Sequence, residues 1–312
     1  MRVAFLGNAR WSVPPLEALA GSSHRISAVV TRVPRPAGRG SRPRATPVAD
    51  AARGLDLPLH EVETVKSGPG LDALVAARPD VLAVVAYGEI LPKAALELPR
   101  VAPVNLHFSL LPELRGAAPV QRAIMDGLAV TGVTIIRMDE GMDTGPILLQ
   151  AEEPVEDTDD AGSLGSRLAA VGARLMVDSL DRLEAGAMVE RAQDETRATF
   201  APKLKPEDQW IVWDRPAEAV VRSVRALAPE PGATTRFRGR VLKVYRASVA
   251  PAAPGRVAAP GTVVGTWKDG WAVAAADGAV ALEEVAPAGR RRMSGGEFVR
   301  GYRPEPGETL GG

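Results

Sequence analysis

The sequence predicts an α/β domain on a parallel sheet, followed by a small all-β domain. Three observations carry this expectation. The chain opens as strand, helix, strand: Arg2 to Leu6, then Pro14 to Ala20 ending at Gly21, then Ile26 to Val30. Such a β-α-β opening builds a parallel sheet, and paired prolines suit a first helical turn. Val81-Leu82-Ala83-Val84-Val85-Ala86 is an unbroken apolar run, the pattern of a central strand buried on both faces. In the last third, short β runs recur between glycines and prolines, the spacing of a small barrel or sandwich. A chain of 312 residues has room for both domains.

Composition narrows the class. The hydrophobic fraction of 46% and charged fraction of 24% are those of an ordinary globular protein. The absence of cysteine excludes disulfides and thiolate metal sites, and no metal is expected. The chain starts directly on a strand with no signal-peptide pattern, and no apolar run approaches the roughly 20 residues that span a bilayer. A cytoplasmic protein away from the membrane is the expectation. The net charge of zero hides a segregation: residues 201–312 hold 17 basic and 12 acidic side chains, residues 1–200 hold 21 and 26. Within that acidic part, residues 32–44 carry five arginines and no acid. Two basic surfaces on a neutral chain fit either a solvated arginine-rich surface or a polyanionic partner, and charge alone does not choose.

Taken in order, the turn after the first strand, Gly7-Asn8-Ala9-Arg10-Trp11, has one glycine rather than the dinucleotide fingerprint, which excludes NAD and FAD there. The segment from Thr31 to Arg44 is punctuated by Pro and Gly and has no periodicity, so it reads either as a functional arginine loop that grips phosphates or as a floppy surface loop. Pro47 to Arg53 and Leu71 to Ala77 read as helices, and Pro92 to Leu98 as a short one. Asn105 and His107 lie on a strand that runs into the loop at Leu111-Pro112. A helix follows from Pro119 to Gly127. Strands at 133–138 and 146–150 flank the polar loop Asp139-Glu140-Gly141-Met142-Asp143-Thr144-Gly145. The acid-rich stretch 152–160 reads as a solvated turn, and Leu164 to Leu183 as the longest helix. Residues 190–209 lack periodicity and read as linker. Trp210 to Asp214 reads as a short strand and Ala217 to Leu227 as a helix. The closing strands are expected at Val241 to Tyr245, Gly261 to Thr266, Trp271 to Ala275 and Val280 to Glu284, with Arg236, Arg238, Arg240, Lys243, Arg246 and Arg290-Arg291-Arg292 near them.

Asn105 and His107 alternate along a strand, so their side chains leave one face together. Asn105 brings an amide donor and acceptor, and His107 the one ring that changes charge near neutral pH. If the runs on either side of the Asp143 loop are neighbouring strands, the loop brings a carboxylate to the imidazole. His24 and His60 have no such company and read as structural. Ser109 has no base beside it in sequence and reads as a ligand contact rather than a nucleophile.

These residues resemble a known family. Asn105-x-His107-x-Ser109-Leu110-Leu111-Pro112, Arg115-Gly116-Ala117-Ala118-Pro119-Val120-Gln121, Gly132-Val133-Thr134-Ile135 and Gly141-Met142-Asp143-Thr144-Gly145 are similar to the methionyl-tRNA formyltransferases. Arg35-Pro36-Ala37-Gly38-Arg39-Gly40, Val84 to Pro92, Gln193-Asp194-Glu195 and Ala201-Pro202-Lys203-Leu204 match as well. The Asn-His-Asp set alone would also fit other formyltransferases that use 10-formyltetrahydrofolate, those acting on glycinamide ribonucleotide or on sugar amines. The basic loop and basic C-terminal domain separate the tRNA enzymes from these.

The resemblance implies a doubly wound catalytic domain over residues 1–189, a linker at 190–207 and an OB-like tRNA-binding domain over 208–312. It implies formyl transfer from 10-formyltetrahydrofolate to the α-amine of initiator methionyl-tRNA, by a protein expected to be a monomer. Asn105, His107 and Asp143 are the expected catalytic residues. Ser109, Leu110, Leu111 and Pro112 are the expected folate contacts, with a cis Leu111-Pro112 bond allowed. Arg35, Arg39, Arg42 and Arg44 are expected at the tRNA acceptor end, and Arg238, Arg240 and Lys243 on the second domain. Phe108 stands where the family often has glycine, and it is expected to narrow the folate pocket or to pack behind it.

Overall fold

The computed structural model describes residues 1–36, 43–251, 258–268 and 270–311. Two compact units emerge. The first comprises Met1–Pro119, Val130–Pro154 and Gly165–Pro202; the second comprises Val120–Ala129, Val155–Leu164 and Lys203–Gly312.

The opening elements are β1 (Arg2–Gly7), α1 (Val13–Ala20), β2 (Arg25–Arg32), β3 (Arg35–Pro36), β4 (Pro43–Arg44), α2 (Pro47–Gly54), β5 (Leu59–Val62) and α3 (Pro69–Ala77). They continue with β6 (Val81–Val85), α4 (Lys93–Leu96), β7 (Ala102–His107), α5 (Pro119–Met125), β8 (Val130–Arg137), β9 (Ile147–Pro154) and α6 (Ala161–Glu184). The seven-stranded sheet has the order β5-β2-β1-β6-β7-β8-β9. It is parallel from β5 to β7, and β8 and β9 join antiparallel. This is the doubly wound α/β fold expected. All five residues of β6 are buried, as its unbroken apolar run requires between two parallel neighbours. β1 sits where the winding reverses, with β2 on one side and β6 on the other. Crevices outside the carboxyl ends of strands near such a reversal are where open α/β sheets take ligands.

Local chemistry accounts for the boundaries. Thr46 caps α2, its hydroxyl accepting from the Ala49 N–H at 3.0 Å, with Pro47 in the first turn. Asn8 replaces a glycine-rich turn with side-chain bonds. Its Oδ1 accepts from the Thr31 hydroxyl at 2.9 Å and from the Arg32 N–H at 2.8 Å, while its Nδ2 donates to the Tyr87 carbonyl. One amide therefore ties the ends of β1 and β2 to the loop after β6.

The second unit adds α7 (Ala217–Leu227), β10 (Ala233–Phe237), β11 (Arg240–Ala250), β12 (Val263–Trp267), β13 (Gly270–Ala274), β14 (Ala279–Pro287), β15 (Met293–Ser294) and α8 (Gly295–Tyr302). Its antiparallel sheet runs β10-β11-β14-β13-β12, with β15 on β14. The C-terminal tail bridges the two ends of this path: Leu310 pairs with Phe237 on β10, and Thr309 with Thr262 beside β12. The core is aromatic. Phe298 stacks on Trp271 at 5.1 Å and on Tyr302 at 4.5 Å, and Phe237 meets Trp271 edge-on at 5.5 Å.

Two sequence expectations change, and a third segment shows contacts the sequence did not. Trp210 to Asp214 makes only the isolated bridge Trp210–Thr234, because Trp213 turns into the core and donates to the Thr235 hydroxyl at 3.2 Å. The stretch 152–160 is not one solvated turn. Glu152 and Glu153 extend β9, and buried Asp159 accepts from the Ser163 hydroxyl at 2.7 Å at the start of α6. Acids at a helix N-terminus satisfy its free N–H groups. Residues 190–202 form no regular strand, yet they are pinned: Arg115 N–H donates to the Thr199 carbonyl at 2.9 Å and Ala201 N–H to the Arg115 carbonyl at 2.7 Å. Among the described residues, no helix is long and apolar enough to cross a membrane.

Candidate active site

The site forms within the first unit at the carboxyl ends of β6 and β7. β7 carries Asn105 and His107, which lie opposite Ile136 and Thr134 of β8. The β8–β9 connection then returns the Asp143 loop to the same place. Asp143 adopts φ 57°, the left-handed region, which aspartate enters more readily than most residues other than glycine. Its Oδ2 accepts from the Gly116 N–H at 2.8 Å, and its Oδ1 lies 3.4 Å from the Asn105 Nδ2 donor. His107 is 5% exposed, with Nδ1 3.6 Å from Asp143 Oδ2. The other ring nitrogen, Nε2, is 2.9 Å from the Leu114 carbonyl. A carbonyl can only accept, so Nε2 carries a hydrogen, and Nδ1 is the edge that faces Asp143.

A cavity of 410 Å³ opens beside these three residues. Its walls are the loop after β6, from Ala86 to Leu91, and the loop from Asp139 to Asp143, with Val84, Ile136 and Met138 below. Ile90 and Met142 line it while 69% and 57% exposed, a large uncovered apolar area for a surface loop pair. A mostly apolar cleft with a few convergent polar groups is the usual form of a small-molecule site. Burial, reinforced by the Glu89 carboxylate, pushes the Tyr87 phenol up to about 12, against the opposing pull of the Arg32 guanidinium. Tyr87 therefore stays neutral on this wall. Phe108 both lines the cavity and leans on Trp11, ring centroids 5.9 Å apart.

Asn105, His107 and Asp143 are thus brought together. Ser109 to Pro112 are not on this cavity. The Ser109 hydroxyl donates to the Glu113 carbonyl at 2.6 Å, and Leu111 N–H donates to the Thr134 hydroxyl at 3.1 Å. Leu110 packs over Gly132, and the Leu111-Pro112 bond is cis. Leu110, Leu111 and Pro112 line a separate groove with β9 and residues 189–197. The cavity wall from Tyr87 to Leu91 was visible only as part of the family match. Gly116, the backbone donor to Asp143, had no signal beyond its motif.

Of the basic residues, Arg39 and Arg42 lie outside the described residues. Arg35 on β3 pairs with Arg44 on β4, and Arg44 is exposed. Arg240 is exposed at the start of β11, and Lys243 Nζ donates to the Pro231 carbonyl at 2.5 Å. Arg238 is engaged: its guanidinium forks onto Glu308 at 2.7 and 3.0 Å and reaches the Tyr302 and Arg303 carbonyls.

Comparison with known proteins identifies the family. The formyl transferase family matches residues 1–180, and the formyl transferase C-terminal domain matches residues 203–303, so both parts of the chain are those of a formyl transferase. The methionyl-tRNA formyltransferase of Solibacter usitatus is 41% identical over 311 residues, covering 100% of this chain and 99% of that protein. That of Roseiflexus castenholzii is 44% identical over 313 residues, with 100% and 99% covered. The chain belongs to the methionyl-tRNA formyltransferase family. Among solved structures, HypX from Aquifex aeolicus in complex with tetrahydrofolic acid superposes with TM-score 0.65 at 19% identity. The match covers 96% of this chain and 48% of HypX, about half its length. The methionyl-tRNA formyltransferase from Clostridium thermocellum gives TM-score 0.56 at 18% identity, covering 83% of this chain and 96% of that one. At these identities the two structures speak to the fold alone.

Proposed function

We propose that the protein transfers a formyl group from 10-formyltetrahydrofolate to the α-amine of initiator methionyl-tRNA, as a cytoplasmic monomer. The observation that carries this reading is the meeting of Asn105, His107 and Asp143 beside an apolar cavity, in a chain whose full-length relatives bear that name. The cavity suits a folate. Val84, Leu91, Ile136 and Met138 offer apolar surface to a fused ring, and the backbone of the 86–91 and 139–143 loops supplies polar groups at its edge. The donor brings an activated formyl carbon, and the chain's residues do the rest.

The acceptor amine must be neutral to attack, and an unperturbed α-amine has a pKa of about 7.7–8.0. Asp143 and the Nδ1 edge of His107 face the place from which its proton leaves, directly or through a water. The Asn105 amide holds Asp143 only through a long 3.4 Å contact, so its N–H can turn to an oxyanion at little cost. As the oxyanion collapses, the bond from the formyl carbon to the folate N10 breaks and that nitrogen leaves with the proton the amine gave up, so no covalent enzyme intermediate is needed. Residues 1–189 carry the chemistry in this reading, with 190–207 as linker and 208–312 as the tRNA-binding part. Arg35, Arg39, Arg42 and Arg44 meet the acceptor end, and Arg240 and Lys243 meet phosphates, joined by Arg238 where its fork opens. Ser109 to Pro112 support the folate site from behind His107, bonded to Glu113 and Thr134.

The test is transfer of labelled formyl from 10-formyltetrahydrofolate to charged initiator tRNA, alongside glycinamide ribonucleotide and an amino-sugar nucleotide. Formylation of the tRNA alone is expected. Turnover of a small amine in preference to tRNA would overturn the assignment.

A further inference from the structure

Asp143 is held by residues that lie far from it in sequence. Gln193 Nε2 donates to the Asp143 carbonyl and to the Gly145 carbonyl, each at 2.7 Å. These are the backbone groups on either side of Thr144, so a single amide spans the loop just after its left-handed residue. The opposite end of the same amide is equally occupied. Gln193 Oε1 accepts from Arg115 Nε at 3.1 Å and from an Arg115 terminal nitrogen at 2.7 Å. An amide can face either way; a guanidinium on one side, which only donates, decides that its oxygen points to Arg115 and its NH₂ to the loop. Arg115 is 3% exposed and is itself fixed by a fork onto Glu195, at 2.8 and 2.7 Å. The residue after Arg115 is Gly116, whose N–H holds the Asp143 carboxylate. One short segment therefore grips Asp143 twice: through the backbone by way of Gln193, and through the side chain by way of Gly116.

The geometry points to Gln193 as a positioning residue for formyl transfer: it locks the Asp143 backbone so that the carboxylate faces Asn105 and His107, and the Arg115–Glu195 pair sets the direction of its amide. This inference rests on the reading of Asp143 given above. Gln193 touches neither the cavity nor the imidazole, and it acts only through Asp143. A residue acting that way has a specific thermodynamic signature: its effect vanishes once Asp143 is disabled.

The experiment is a double-mutant cycle on the full chain, with Gln193→Glu, Asp143→Asn and both together. The glutamate keeps the shape and the contact with Arg115 but cannot donate to the two carbonyls. Gln193→Glu is expected to lower kcat roughly 10²-fold, the effect of a misplaced catalytic group, with KM for the formyl donor changed only about threefold. In the Asp143→Asn background the same change is expected to cost less than about threefold. If Asp143→Asn is slow while Gln193→Glu keeps wild-type kcat and a cooperative melt, the positioning role is overturned and Asp143 stands. Equal losses in both backgrounds also overturn it, since Gln193 would then act independently of Asp143. If Asp143→Asn is itself as fast as wild type, the assignment of Asp143 falls and the positioning role falls with it. Should Gln193→Glu not melt cooperatively, Glu195→Ala reads the same link from an exposed position. It frees Arg115 without touching the loop, and a kcat loss that disappears in the Asp143→Asn background supports the role, whereas no loss overturns it.

Discussion

His107 shows how little freedom the proposed catalytic groups have. One ring nitrogen is spent on the Leu114 carbonyl, so in the proposed mechanism proton transfer falls to Nδ1, 3.6 Å from Asp143. His107→Ala should therefore lower kcat roughly 10²–10⁴-fold, the usual loss for one proton-transfer group, while melting temperature and folate binding stay near wild type. Turnover near that of wild type would remove His107 from the mechanism. The sequence showed Asn105 and His107 readily, because alternation along a strand is a period that reads directly. It could not show that Gln193 reaches Asp143, since nothing in local pattern records a contact spanning 50 positions. His24 differs in kind. Its ring is buried, and burial, then the neighbouring N-terminal ammonium, hold its pKa below the usual 6.5 despite Asp181 and Glu184. The unfolded chain then takes up the proton first as pH falls. The stabilisation is complete above about 6.5 and is lost as pH drops toward the depressed folded value. Replacing His24 with Gln should flatten the fall in melting temperature over that acid window, measured by thermal melts at a series of pH values; an unchanged slope would assign the acid sensitivity to other groups.

At the scale of elements, burial decides what a sequence discloses. β6 announces itself because both faces are covered, and α6 because its apolar positions recur at helical spacing over 24 residues. β5, with the sequence Leu-His-Glu-Val, is a polar edge strand and has no such pattern. The acidic start of α6 misled for a physical reason: six acids look solvated until one sees that a helix N-terminus needs acceptors. α8 was missed although its signal was present. Ser294 accepts from Glu297 N–H at 3.2 Å, and Glu297 Oε2 accepts from Ser294 N–H at 2.8 Å, a reciprocal capping box. α8 carries Phe298 into the aromatic core of the second unit. Ser294→Ala should cost about 1 kcal/mol in urea unfolding, a typical loss for a missing cap. A change within error would mean that Phe298, not the cap, determines where the helix begins.

For the whole molecule, the division into units does not follow the order of the chain. Residues 120–129 and 155–164 belong with the C-terminal unit, where Arg222 Nε donates to the Met125 carbonyl at 3.3 Å and Arg225 to the Asp159 carbonyl at 3.0 Å. A chain cut after Pro202 keeps Gln193, Glu195 and Ala201 and should bind tetrahydrofolate, with a lower and broader melt because those two segments lose their own partners. A chain cut after Gln193 loses Glu195, Thr199 and Ala201 and should bind it far more weakly. Calorimetry on both fragments checks this, and equal affinities would show that residues 194–202 do not support the site. The basic excess of the last 112 residues also leaves with either cut, so both fragments should lose affinity for tRNA.

The tail at residues 307–311 carries a different consequence. It lies between the two outer strands of the C-terminal sheet. Val263 N–H donates to the Glu308 carbonyl at 2.7 Å, Leu310 N–H to the Gly261 carbonyl at 2.7 Å, and Gly311 N–H to the Arg236 carbonyl at 3.3 Å. Arg238, expected from sequence to meet phosphate, clamps this tail through Glu308. The tail thereby occupies strand edges that would otherwise be open templates for another polypeptide. Removing Glu308 to Gly312 should expose both edges at once. The expected result is self-association that rises with protein concentration, seen by light scattering well below the melting temperature. With that result, the strand edges of the second unit are kept closed by five residues that the proposed mechanism does not use.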